Sequence, residues 1–203
     1  MHISEGVLSA PVLIGGGIAS AAGVAIGLKT MKDKDIPKTA IISAALFVAS
    51  LIHVPLGPTS VHLLLNGISG IILGWQVFPA VLIALFLQSI LFQFGGITVL
   101  GVNTLNVALP AIIAHQFFKL YDFKNTRFFL GTTAFFSGAL SVFITALMVA
   151  LSLFFTNDSF LKIAKLTIVS HVPVMIIEGI ISVFVIFSIK KIKPIILEEL
   201  YKK

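Results

Sequence analysis

The chain begins Met1-His2, and a histidine directly behind a free amino terminus can close a chelate. The terminal amine, the Met1–His2 peptide nitrogen and the His2 imidazole form two fused rings around one ion. They leave one corner of a nitrogen plane for a donor from elsewhere in the chain. Four nitrogens in a plane suit Ni(II) or Cu(II). Histidine is a bulky second residue, and methionine aminopeptidases prefer small ones there, so Met1 is expected to be retained. The other imidazoles are His53, His62, His115 and His171, and there is no cysteine. Thiolate ligation, disulfides and thiol catalysis are therefore excluded. A chance Met-His start is the plain alternative.

Other polar groups stand in apolar surroundings. Glu178 is the single acid inside an apolar run. An intramembrane carboxylate marks a functional site by default, here either a proton relay or, the simpler reading, a hydrogen-bonded clamp between helices. Asn103 and Asn106 are three apart and share a helix face. With Gln88 they fit interhelical hydrogen bonding, and Asn103 fits equally well a supporting place behind a ligand. Ser60 belongs to the same supporting set, and Glu5 reads as a solvated or capping acid near the mouth. No nucleotide-binding loop is present: Lys29-Thr30 follows Leu28 where glycine is needed, so the chain does not hydrolyse ATP itself. Neither H-E-x-x-H nor G-x-S-x-G occurs. Ser60 and His62, two apart with no orienting acid, do not make a hydrolase.

The elements that carry these residues are membrane spans. The 203 residues are 58% hydrophobic and 11% charged, with mean hydropathy +1.10, against about a quarter charged in a soluble domain. The net charge of +6 lies in short clusters between apolar runs, which suits topology signals better than a nucleic-acid face. Apolar runs are expected at 7–28, 39–54, 61–75, 77–94, 97–118, 128–155 and 166–189. The fold class is thus all-α, a polytopic integral membrane protein of about seven transmembrane helices. It forms one domain, 1–203, with an amino-terminal segment 1–6 and a basic tail 190–203. No basic stretch precedes the first apolar run, so no cleavable signal is expected. The run 61–75 is short for a crossing and asks for a thinned bilayer or a cavity. Before it, Pro55, Gly57 and Pro58 forbid a helix. Ala19, Gly23 and Gly27 form a small-residue ladder for a close helix neighbour, internal or on a partner.

Counting 61–75 as a crossing, an outside amino terminus puts twelve of the fourteen Lys and Arg on the cytoplasmic side, with Lys162 and Lys165 outside. The positive-inside rule then sets the amino terminus outside and the carboxy terminus in the cytoplasm. His2, His53, His62 and His171 all fall at outer span ends, and His115 falls near the inner side. Four imidazoles at one level form a plausible nitrogen ligand set. An interfacial histidine bonded to backbone or water is the plain alternative, and it fits His115 and His171 best. His62, beside a Pro/Gly break, favours function.

The blocks MHISEGVLSAPVL, HVPLGPTSVHLLLNGISGIILGW, LQSILFQFGGITVLGVNTLNVALPA and HVPVMIIEGIISVFVIFSIKKIKP span most of the chain. In that order they resemble the CbiM/NikM family, the substrate-capturing membrane subunits of energy-coupling-factor (ECF) nickel and cobalt importers. The resemblance implies seven helices, with the amino terminus tucked into an outward-facing site. It implies Ni(II) or Co(II) as cargo, held by the Met1 amine, the His2 amide and imidazole, and His62. It also implies partners: a transmembrane coupling subunit, two cytoplasmic ATPase subunits and a small auxiliary membrane subunit, in a bacterial or archaeal cytoplasmic membrane. Where nickel-type members carry an Asn-containing segment this chain has Ile52-His53. It also has Gly57-Pro58-Thr59-Ser60-Val61-His62 in place of a Gly-Gly-Thr-Ser-Gly-His turn. His53 is therefore a further candidate, axial ligand or way-station, and the choice of ion stays open. Two alternatives remain at this stage: an intramembrane metal-dependent enzyme using the outer histidines and Glu178, and an importer subunit for an organic micronutrient.

Overall fold

The computed structural model describes residues 2–51, 53–56, 59–120 and 126–201, with side chains of these except at 53–60 and 198–201. The chain is helical, as expected. Its helices are α1 Ala10–Thr30, α2 Ile36–Ala49, α3 Asn66–Leu73, α4 Val77–Phe92, α5 Leu100–Phe118, α6 Arg127–Phe154, α7 Leu161–Ser170, α8 Val172–Ile192 and α9 Pro194–Tyr201. Among the described residues, four stretches are long and apolar enough to cross a membrane on their own: Ala10–Thr30, Asn66–Phe92, Arg127–Phe154 and Asp158–Ile192. Prolines mark the starts. Pro11, Pro37 and Pro173 each stand in a first helical turn, where no backbone donor is needed.

Three expected boundaries shift. The second run ends at Ala49 instead of 54, and His53–Leu56 (β1) pairs antiparallel with Thr59–His62 (β2) in a two-stranded ribbon. Prolines and glycine that bar a helix leave extended backbone as the remaining regular option. The run 61–75 holds only the eight-residue α3, about 12 Å long, and the residues before it are ribbon and loop. The seventh run, expected at 166–189, is split at His171 into α7, which begins at Leu161 and takes in Lys162 and Lys165, and α8. Pro173, which lacks an N–H, separates α7 from α8 at His171.

α3 is the central post. It descends from the ribbon, and the chain reverses at Gly74 (φ +57) into α4. The close approach of α3 to α5 and α6 depends on glycine. A Cβ on Gly70 would meet the backbone carbonyl of Ala111 on α5, and one on Gly67 would lie 2.6 Å from Ser141 Oγ on α6. Gly138 of α6 faces Ser182 and the Glu178 carbonyl on α8. Small residues take this role where lipid supplies no hydrophobic drive between helices. The Gly23 and Gly27 ladder faces Phe78 and Pro79, so its neighbour is internal. Polar side chains join the posts: Asn66 Nδ2 donates to Thr145 Oγ1 at 2.9 Å, and Ser141 Oγ donates to Asn66 Oδ1 at 3.0 Å.

Candidate metal-capture site

The amino-terminal segment runs into the bundle and is held there at two places. Ile3 is fully buried. Its N–H donates to Asn103 Oδ1 at 3.0 Å, and its carbonyl accepts from Asn103 Nδ2 at 3.1 Å. One side-chain amide on α5 thus satisfies both halves of Ile3's backbone, as a strand neighbour would. The second hold is the turn before α5. Glu5 N–H donates to the Gly95 carbonyl at 3.0 Å, and Thr98 N–H donates to Glu5 Oε1 at 3.0 Å. That donation from Thr98 holds the Glu5 carboxyl below the usual carboxylate range, since the bond favours the charged form. The contact is therefore kept above that lowered value and lost as pH falls through it. Gly95 (φ +79) and Gly96 (φ +141) adopt backbone that side chains rarely take, and a Cβ on Gly96 would lie 2.7 Å from Glu5 Cδ. Only glycines let the turn close over the segment.

This anchoring gives a local prediction. Asn103→Leu removes two hydrogen bonds of about 1 kcal/mol each. The Ile3 amide should then exchange with deuterium at least about tenfold faster, while amides of α6 keep their rates. Unchanged Ile3 exchange would mean that Asn103 does not hold the segment.

The anchored segment places His2 against His62. The two rings stack, with centroids 4.6 Å apart and 20° between planes, and Phe94 lies tilted over His2 at 6.4 Å. Both histidines are buried. His62 Nδ1 lies 2.7 Å from the Leu63 carbonyl. A carbonyl only accepts, so Nδ1 carries the proton and Nε2 keeps its lone pair. Among the described residues that Nε2 has no hydrogen-bond partner. His62 also lines a cavity of about 20 Å³, together with Ser50, Gln88 and apolar side chains, which is room for one water-sized guest. Gln88, expected to join helices, has its Oε1 buried without a partner among the described residues. Nothing in its sequence surroundings points to this cavity.

The other polar residues divide by place. His171 is fully buried, and its Nδ1 donates to the Thr167 carbonyl at 2.5 Å. His115 is remote, bonded to the Ile71 carbonyl at 3.1 Å beside Gly74, as its plain reading expected. Asn106 Nδ2 donates to Ser152 Oγ at 3.4 Å. Glu178 is fully buried and clamps the chain after the ribbon: the N–H groups of Leu64 and Leu65 donate to its Oε1 at 2.6 and 2.7 Å. Met1 and the side chains of His53 and Ser60 lie outside the described residues. The backbone register nonetheless sets His53 opposite His62 in the ribbon. Among the described residues, no group of three or more His, Asp or Glu side chains converges on one point.

A helical bundle built for the bilayer, with its own chain end packed beneath a second imidazole, has the form of a membrane carrier for a small cargo. Over residues 2–196 the chain matches the CbiM family, described as the cobalt uptake substrate-specific transmembrane region. It is 45% identical to a Haemophilus influenzae protein described as a metal transport protein, covering 96% of this chain and 95% of that one. It is 37% identical to the fused nickel transport protein NikMN of Rhodobacter capsulatus, over 54% of this chain and 33% of that one. The crystal structure of a transition metal transporter superposes with a TM-score of 0.84 at 24% identity, covering all of this chain and 99% of the other. The chain belongs to the CbiM family of multi-pass membrane transport components. It is a transport protein and not an enzyme.

Proposed function

We propose that the chain captures Ni(II) or Co(II) between its amino terminus and His62, as the substrate-specific component of an ATP-driven ECF importer. The ligands are the Met1 amine, the His2 amide and imidazole nitrogens, and His62 Nε2. His53 is a further candidate, supported by its register opposite His62. Asn103 acts behind the ligands by fixing Ile3, and Ser60, two residues from His62, is assigned to the same supporting layer.

The carrying observation is the pairing of the His2 and His62 rings. A first-row ion bonds imidazole nitrogen at about 2.0 to 2.1 Å, which puts each ring centroid about 3.2 Å from it. The observed centroid separation of 4.6 Å keeps both rings within reach of one such ion, which they would bind at adjacent corners of a square by turning out of their near-parallel, 20° arrangement. Planar nitrogen ligation selects by geometry, since raw affinity always favours copper.

Membership of the CbiM family and the resemblance to energy-coupling-factor importers support ATP hydrolysis by partners: two cytoplasmic ATPase subunits joined through a transmembrane coupling subunit, with a small auxiliary membrane subunit as a further member; the lack of a nucleotide motif agrees. The basic clusters orient the site outward and the carboxy terminus toward the cytoplasm of a bacterial or archaeal cell. Calorimetric titration of the purified chain, tagged at its carboxy end, tests the reading. Ni(II) or Co(II) should bind one to one and tightly, and more weakly as pH falls, because the amide must lose its proton. Millimolar affinity for both ions would overturn the proposal.

A further inference from the structure

The geometry points to Glu178 as a positioning residue for His62, acting through a single peptide group. This inference rests on the proposed role of His62 as a metal ligand.

The peptide between Leu63 and Leu64 is a rigid planar unit, and both of its polar ends are engaged. Its N–H, on Leu64, donates to Glu178 Oε1 at 2.6 Å. Its carbonyl, on Leu63, accepts from His62 Nδ1 at 2.7 Å. The line therefore runs from carboxyl oxygen through one peptide to the imidazole. Many metal-bound histidines donate their second N–H directly to a carboxylate or carbonyl, which fixes the tautomer and aims the free nitrogen. Here a carboxyl group sets the orientation of the carbonyl that does so. Bonds in such a chain polarise one another, so an acceptor on the N–H strengthens the carbonyl as an acceptor.

The surroundings make Glu178 the fixed end. It is fully buried, and its α8 backbone packs directly on Gly138 of α6. The loop it holds is the part in need of holding. Leu64 and Leu65 precede α3 outside any helix, and Leu65 sits at φ 50, a left-handed conformation costly for a branched side chain. Oε1 also takes the Leu65 N–H at 2.7 Å, so one oxygen supplies two donors that the loop would otherwise leave unpaired within the membrane. Without that oxygen the Leu63–Leu64 peptide is free to rotate. His62 then loses the acceptor that keeps the proton on Nδ1 and the lone pair on Nε2.

The test uses the full chain with an unmodified amino terminus. Glu178→Gln keeps an oxygen for both N–H groups and should bind Ni(II) within about threefold of the unsubstituted protein. Glu178→Leu removes the oxygen and should weaken binding about ten- to hundredfold, the usual effect of losing a ligand's outer partner. Glu178→Asp, shorter by one methylene and less disruptive to folding than Leu, should fall between. Nitrogen NMR of labelled imidazole, without metal, should show His62 protonated on Nδ1 in the parent and Gln forms and mixed in the Asp and Leu forms. A clamp that merely stabilised the bundle would leave the tautomer alone. Unchanged tautomer in the Asp and Leu forms, or equal losses in the Gln and Leu forms, would overturn the inference. If His62→Ala bound Ni(II) as the parent does, the metal reading would fall separately, and the tautomer experiment would still decide this one.

Discussion

Adding one residue ahead of Met1, or acetylating its amine, is expected to weaken Ni(II) binding about a thousandfold or more, about 4 kcal/mol. The reason is the unequal weight of the four nitrogens. The amine and the His2 amide belong to fused rings, and an extended chain turns the amine into an ordinary amide. It also has to fit extra backbone into a segment whose third residue is already fully buried and bonded on both sides to Asn103. Deuterium exchange at Ile3 separates the two effects. Acetylation should spare the Ile3 bonds and still abolish binding, because it adds few atoms but removes the lone pair. Normal nickel affinity in the extended protein would remove the chelate from the mechanism.

His62→Ala is expected to lower affinity at least about a hundredfold, since deleting a ligand costs more than the ten- to hundredfold of losing its outer partner. His115→Ala should leave affinity unchanged within about twofold, because that ring is bonded at the far end of α3. Both substitutions remove a buried or half-buried imidazole with a backbone partner, so the comparison controls for general damage to the bundle. Calorimetry on the two proteins side by side decides the matter. Equal losses would detach His62 from the site.

Much of this arrangement was readable before any coordinates. Polar side chains in apolar runs are conspicuous, and Asn103 and Glu178 both prove to hold backbone that has no other partner. The grouping of His2 and His62 at one end, away from His115, followed from where the basic residues fall. What escaped was local geometry that depends on distant partners. Proline and glycine at 55–58 say that no helix forms, yet not that a ribbon does. Lys162 and Lys165 read as loop because charge outweighs periodicity over ten residues, whereas α7 packs Ala164 and Thr167 inward. The Glu178 contact with Leu64 spans 114 positions and uses a main-chain N–H, which no side-chain pattern can announce. The Gln88 cavity is likewise the product of α2, α4, α5 and the chain leaving the ribbon at His62–Leu64 meeting, and none of them carries its outline.

The Asn103 anchor also has a bearing on assembly in time. Ile3 and the residue that receives it are 100 positions apart. At a synthesis rate of about 5 to 20 residues per second, the leading residues emerge about 5 to 20 seconds before their dock exists. Until α5 has been inserted, the first residues of the chain have nowhere to settle. The pocket is therefore completed late, by its oldest part, and under the proposed chelate the nascent amino terminus has to stay unmodified and unobstructed through that interval.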